Sequence, residues 1–178
     1  MTPGTKRGYK LTYKKKPQTT DSYISRKGQA KILLCEACND VYMNKRWYHD
    51  NNLSEQAAQN PETVKVICPA DQKIRDDFPG GIVTLRGSYV RSHKDALLQL
   101  VKNEEERARG LNPLERIISI KEHGNGEVVI TTTNEKMAQR IGRAINKAFH
   151  GEVSYRWSHD TKLVRVDWKR EEDKSKVE

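Results

Sequence analysis

Apolar residues fall in short runs separated by long polar stretches, and the spacing inside each run predicts an element. Ile32-Leu33-Leu34 is the first, leading into Cys35-Glu36-Ala37-Cys38. Residues 41–48, Val-Tyr-Met-Asn-Lys-Arg-Trp-Tyr, read as one strand leaving the cysteines, and the polar stretch from His49 to Pro61 reads as loop or short helix. Val64–Ile67 is a second strand that ends at Cys68-Pro69-Ala70-Asp71. Pro69 suits the first turn of a helix, where its missing N–H costs nothing. Phe78-Pro79-Gly80-Gly81 is a turn before the strand Ile82–Leu85. Ser92 with Asp95 three residues on has the form of a capping box. The helix it starts carries Leu97, Leu98, Leu100 and Val101 on its buried side and ends near Gly110. Its charged second half, Asn103 to Arg109, is expected to project into solvent or to act as a linker.

From Pro113 the pattern changes. Ile117–Ile120 and Val128–Ile130 flank His123-Gly124-Asn125-Gly126, a hairpin signal. Thr132 or Asn134 caps a helix from Glu135 to about Phe149, with Met137, Ile141, Ala144, Ile145 and Ala148 near the 3.6-residue period. Gly151 stops it, and strands at 153–157 and 163–168 follow, joined by the four-residue loop Ser158–Thr161. The predicted fold is α+β: a zinc-ribbon or treble-clef-like cysteine knuckle lobe at 31–90, a connecting helix at 91–112 and a ββαββ lobe at 113–168. A basic arm, residues 1–30, and a charged tail, residues 169–178, flank them. No internal repeat is present.

Composition sharpens this picture. Only 35% of the 178 residues are hydrophobic and 32% are charged, a lean core of the kind that a metal often staples. No apolar stretch is long enough to span a membrane, and none follows the basic N-terminus as in a secretory signal. Reduced thiols and a cytoplasmic location are the expectation. The net charge of +9 is concentrated. Residues 1–31 hold nine Lys/Arg (Lys6, Arg7, Lys10, Lys14, Lys15, Lys16, Arg26, Lys27 and Lys31) against Asp21 alone. The remaining 147 residues hold 24 basic and 23 acidic side chains. With few aliphatic residues the arm is expected to be disordered in isolation. It is either a solubilising tail or a polyanion contact, since each cation that meets a phosphate releases a counterion. Tyr9, Tyr13 and Tyr23, interspersed among the lysines, are candidates for stacking on bases.

The cysteines carry the chemistry. Cys35-x-x-Cys38 and Cys68-x-x-Asp71 are two half-sites that together would make a closed tetrahedral site, the usual structural zinc arrangement. Asp71 stands where a fourth thiol would stand; zinc accepts carboxylate oxygen, and His49 is the alternative fourth ligand. The competing reading is three buried thiols without metal. A redox role for Cys35 and Cys38 would need a thioredoxin-like βαβ context, which the pattern lacks.

Two further clusters suit RNA. Tyr42, Lys45, Arg46, Trp47 and Tyr48 place guanidinium beside indole, fit for stacking and phosphate pairing; Trp47 and Tyr42 would equally serve as a cap over the metal site. Lys136, Arg140, Arg143 and Lys147 share one helix face along which a phosphate backbone could run, or which is an ordinary solvated surface. No phosphate-binding G-x-x-x-x-G-K-[ST] loop occurs, and His49, His93, His123, His150 and His159 form no triad or H-E-x-x-H pattern. No catalytic residue is predicted.

Taken in order, Cys35-x-x-Cys38, Arg46-Trp47, Cys68-Pro69-Ala70, Gly80-Gly81 and the run from Asn112 to Ile117 resemble a known family. So do the segment from Ile130 through Thr131-Thr132-Thr133 to Gly142 and the closing Leu163–Trp168 strand. The resemblance, over residues 31–168, is to the N-terminal part of the archaeal and eukaryotic adapter family for export of the large ribosomal subunit, and to short bacterial proteins like it. It implies a zinc-ribbon-like fold at the cysteines and association with the large ribosomal subunit. Where that family has a fourth cysteine, this chain has Asp71. The expected function is therefore non-enzymatic binding of RNA, ribosomal RNA above all. The alternatives are a protein-interaction adapter with a structural zinc, and a metal-dependent hydrolase.

Overall fold

The computed structural model describes Tyr23, residues 32–158 and residues 162–172. Its elements in chain order are β1 (Leu33–Cys35), β2 (Val41–Met43), β3 (Arg46–Tyr48), α1 (Asn51–Gln59), β4 (Val64–Val66) and α2 (Pro69–Arg75). Then come β5 (Gly81–Arg86), α3 (Ser88–Ser92), α4 (Lys94–Leu111), β6 (Ile117–Glu122) and β7 (Val128–Thr132). α5 (Glu135–Phe149), β8 (Glu152–Trp157) and β9 (Val164–Lys169) are the last elements among the described residues. The fold is α+β with two mixed sheets, ordered β3-β2-β1-β4 and β6-β7-β5-β9-β8.

In the small sheet, residues 41–48 are a hairpin and not one strand. Asn44 and Lys45 both take positive φ, 51° and 64°, the handedness that a two-residue hairpin turn requires. Asn adopts that conformation readily and Lys does not, which is why the turn is hard to see in the sequence. The polar stretch after it contains α1, capped by the Asp50 carboxylate, which accepts from the N–H of Leu53. β4 runs parallel to β1, with Cys35 level with Val66, so the chain delivers Cys68 beside Cys35 two residues later.

The strand at 81–86 departs most from expectation. Sequence places it in the cysteine lobe at 31–90, but it is the centre of the second sheet, antiparallel to β7 and parallel to β9. Val83 and Leu85 are fully buried there. The second lobe is thus the expected ββαββ unit with β5 inserted between β7 and β9. Two glycines permit this. A Cβ on Gly80 would lie 2.7 Å from Cα of Asn134, and one on Gly81 would lie 2.5 Å from Cβ of Ala138. The turn therefore lies directly against the start of α5. Asn134, one of the two expected caps, accepts from the N–H of Met137.

The helix at 94–111 is no linker. Leu97, Val101 and Ala108 are buried in the main core, Glu104 is buried too, and α4 packs against α5. The seam expected at Leu97 and Val101 thus continues through the charged second half, where Glu104 and Ala108 are buried as well. Ser92 ends α3, and α4 starts after His93 with no side-chain cap, so the expected capping box is not formed. Trp168, the largest buried side chain, satisfies its indole N–H by donating to the carbonyl of His150 at 2.9 Å.

Candidate metal centre

Cys35 and Cys38 flank the turn between β1 and β2, while Cys68 and Asp71 occupy the N-cap and first turn of α2. Parallel pairing of β1 with β4 brings the two half-sites together, and one ligand atom from each lies within 4.8 Å of all the others. Sγ of Cys38 and Cys68 are 3.8 Å apart, and Oδ2 of Asp71 lies 3.2 Å from Cys35 Sγ and 3.1 Å from Cys68 Sγ. A tetrahedral ion with sulfur at about 2.3 Å and oxygen at about 2.0 Å sets donors about 3.8 and 3.5 Å apart. The sulfur pair already has that spacing, and the carboxylate is drawn in by a few tenths of an ångström. The donor set fits a metal ion.

Backbone N–H groups point at the sulfurs: Cys68 donates to Sγ of Cys35 at 3.2 Å and Asp71 to Sγ of Cys68 at 3.4 Å. Hydrogen bonds from Cys38 and then Cys68 hold Cys35 well below the usual thiol range. The same contact with Cys35 pushes Cys38 strongly up and Cys68 up to about 12, with burial adding to both. Three thiolates this close cannot coexist without a cation, so two protons stand in for one.

Around the donors is a shell the sequence reading missed. Asp71 divides its carboxylate: Oδ2 faces the sulfurs and Oδ1 accepts from Nη1 of Arg116 at 2.7 Å. Burial is the largest influence on the Arg116 guanidinium and pushes it down, but the charges of Asp71, Cys38 and Cys68 leave it above its ordinary range. Asp40, fully buried, accepts from the Cys38 thiol at 3.1 Å and pairs with His49 Nδ1 at 2.6 Å, with Nη2 of Arg109 at 3.8 Å. The fourth residue of the cluster is Asp71, and His49 stands outside it with its Nδ1 on Asp40. Asp40 had a weak signal, lying two residues after Cys38. Arg109 and Arg116 had none, because 70 or more residues separate them from the first cysteine pair.

Other expected functional residues divide. Trp47 packs against the cluster of Cys35, Cys68 and Ala70, tilted against Tyr42 at 5.4 Å. Arg46 reaches from β3 to donate to the carbonyl of Leu111 at 2.7 Å, at the C-terminal end of α4, and Lys45 is exposed at the hairpin turn. Arg140 pairs with the buried Glu115 at 3.3 Å, while Lys136, Arg143 and Lys147 on the same helix are exposed. Lys6, Arg7, Lys10, Lys14, Lys15, Lys16, Arg26 and Lys27 lie outside the described residues. Of the arm only Tyr23 is described: its ring packs on Phe78 at 5.5 Å and its hydroxyl donates to Asp76 at 3.1 Å. No helix of the described residues is long and apolar enough to cross a membrane. Comparison with protein-family models, curated proteins and solved structures finds no match.

Proposed function

We propose that this protein binds RNA without catalysing a reaction, on the large ribosomal subunit, and that a zinc ion at Cys35, Cys38, Cys68 and Asp71 is a structural staple of a treble-clef-like lobe. The charge distribution carries the RNA reading. Nine cations against one acid in residues 1–31 precede a body of nearly balanced charge, so one segment supplies almost all the attraction for a polyanion. The resemblance to the export-adapter family supports the ribosome as the source of that RNA.

Zinc suits three sulfurs and one oxygen in a tetrahedral array better than magnesium or calcium, which prefer all-oxygen shells. A hydrolytic ion would need an open position, and four converging donors favour a closed, structural one. When bound, zinc would supply a rigid joint between the β1–β2 turn and α2, replacing the core that the small sheet lacks. Leu34, Val41 and Ala57 are the only buried hydrophobic residues in that sheet's own cluster among the described residues.

Two measurements test the reading. Elemental analysis of protein purified under reducing conditions should find one zinc per chain, lost in Asp71→Ala and retained in His49→Ala; no metal in folded wild type refutes the staple. Binding to ribosomal RNA should weaken steeply with salt, by up to about six decades of affinity per decade of salt if all the cations of residues 1–31 meet phosphate. Deleting residues 1–30 should flatten that dependence, and an unchanged slope refutes the role of the arm.

A further inference from the structure

The edge of the second sheet carries an exposed aromatic surface that the metal centre does not explain. Alternation along β8 puts Val153, Tyr155 and Trp157 on the side covered by α5, opposite Trp168, Val166 and Val164 of β9. β8 is the edge strand of the sheet, so α5 covers this row only in part. Tyr155 is half buried, Trp157 is 48% exposed, and their rings stack at 6.1 Å with 23° between planes. Trp is highly buried on average, so an indole 48% exposed and stacked on a second ring is a candidate contact surface.

Gly142 sets the geometry. A Cβ there would lie 2.6 Å from Cγ1 of Val166 and 3.2 Å from the Tyr155 hydroxyl, so the tyrosine approaches the helix backbone closely. The next residue, Arg143, is near enough for its charge to lower the Tyr155 phenol against the dominant upward push of burial. Lys136 and Lys147 extend the cationic row one turn or more to either side. Arg140 and Arg156, by contrast, are spent on Glu115 and Asp167. Among the described residues Lys136, Arg143 and Lys147 have no acidic partner. The only acids between 135 and 157 are Glu135 and Glu152, and Glu152 alternates onto the opposite face of the sheet.

We infer that this surface, Tyr155 and Trp157 flanked by Lys136, Arg143 and Lys147, is a docking platform for single-stranded RNA. Unpaired bases stack on the two rings and their phosphates lie along the cationic row. Charge complementarity decides the occupant: stacked rings beside unpaired cations match a chain of exposed bases on a phosphate backbone. A duplex hides its base faces and could use only the cations. The inference rests on the RNA-binding reading and names a site for it separate from the arm.

Fluorescence anisotropy of the full-length protein with a labelled oligouridylate and with an RNA duplex of equal length tests it. Trp157→Ala should weaken oligouridylate binding about 5- to 150-fold, the range for losing one stacked base, and leave the duplex within twofold. Trp157→Phe, which keeps a ring, should restore most of the loss and thereby exclude misfolding as its cause. Oligouridylate should also quench tryptophan emission in the wild type and much less in Trp157→Phe. Replacing Arg143 and Lys147 together by Gln should reduce the salt slope by about 1.4. Wild-type affinity in both Trp157→Ala and the Tyr155→Ala/Trp157→Ala double variant would overturn the platform while the arm still binds, leaving the β8 edge to a protein partner. Equal loss on the duplex would overturn the stacking. Failure of the wild type to bind either RNA would sink the RNA reading itself.

Discussion

Asp71 of the candidate metal centre is held by a residue from the other lobe, and its effect on metal affinity can be measured. Arg116 Nη1 holds Oδ1 of Asp71 at 2.7 Å, with the two side chains 19% and 12% exposed. Replacing Arg116 by Met keeps the aliphatic stem and removes the fork. Charge centres about 4 Å apart attract by about 4 kcal/mol at an effective dielectric of about 20. Burying the guanidinium offsets part of this, and a hydrogen bond to a charged group retains about 1.5–3 kcal/mol net. Once released, the carboxylate can turn away from the sulfurs and must be reordered each time an ion binds. Zinc affinity should therefore fall about 10- to 100-fold, as for other supports of metal ligands, or about 1.4–2.8 kcal/mol. Competition against a chromogenic chelator under reducing conditions reads this directly. An affinity within twofold of wild type would refute the positioning role. A second arm separates orientation from folding: in an Asp71→Cys background there is no carboxylate to orient, so the same change should cost less than threefold. A full loss there would mean that Arg116 acts through the fold and not through Asp71.

Other outcomes follow from the same contacts. Cys38 and Cys68 hold their protons above the usual thiol range, Cys68 up to about 12, whereas Cys35 is held below it. At neutral pH, metal binding should release two protons, so apparent affinity should rise about 100-fold per pH unit until the raised thiols ionise. Calorimetry in buffers of different ionisation enthalpy counts those protons, and a count of zero would contradict the arrangement. Thr133→Val should destabilise the protein by about 1–3 kcal/mol in urea unfolding. It strands the N–H of Arg116, which donates to Oγ1 at 2.9 Å, and the carbonyl of Leu114, which accepts at 2.6 Å. Gly142→Ala should cost about 1–3 kcal/mol despite its better helix propensity, because the new methyl meets Val166 in a buried strand. A stabilised Gly142→Ala variant, by thermal melt, would mean that α5 stands off the sheet.

Periodicity was a good guide where an element answers to its own residues. α5 showed its apolar face, and β6, β7, β8 and β9 showed themselves as short alternating or apolar runs between turn residues. The two cysteine half-sites were equally legible, since C-x-x-C and C-x-x-D spacings fit a turn and a helix start on their own. Asp71 was readable as the fourth donor for the same local reason.

What tertiary structure decided were the relations between distant segments. β5 looked like a strand of the cysteine lobe because it follows that lobe in sequence, yet it pairs with β9, about 80 residues on. Charged residues made the second half of α4, Asn103 to Arg109, look like a solvent-exposed linker, yet Glu104 and Ala108 are buried there and the helix packs against α5. Arg116 and Arg109 reach the metal centre across the junction between the sheets, as Lys73 reaches the carbonyl of Thr133 at 3.0 Å. Local sequence sets which backbone shapes and which donor atoms a segment can offer. Pairing of strands and ions across long loops depends on which surfaces remain to be buried once each segment has folded, and that is a property of the whole chain.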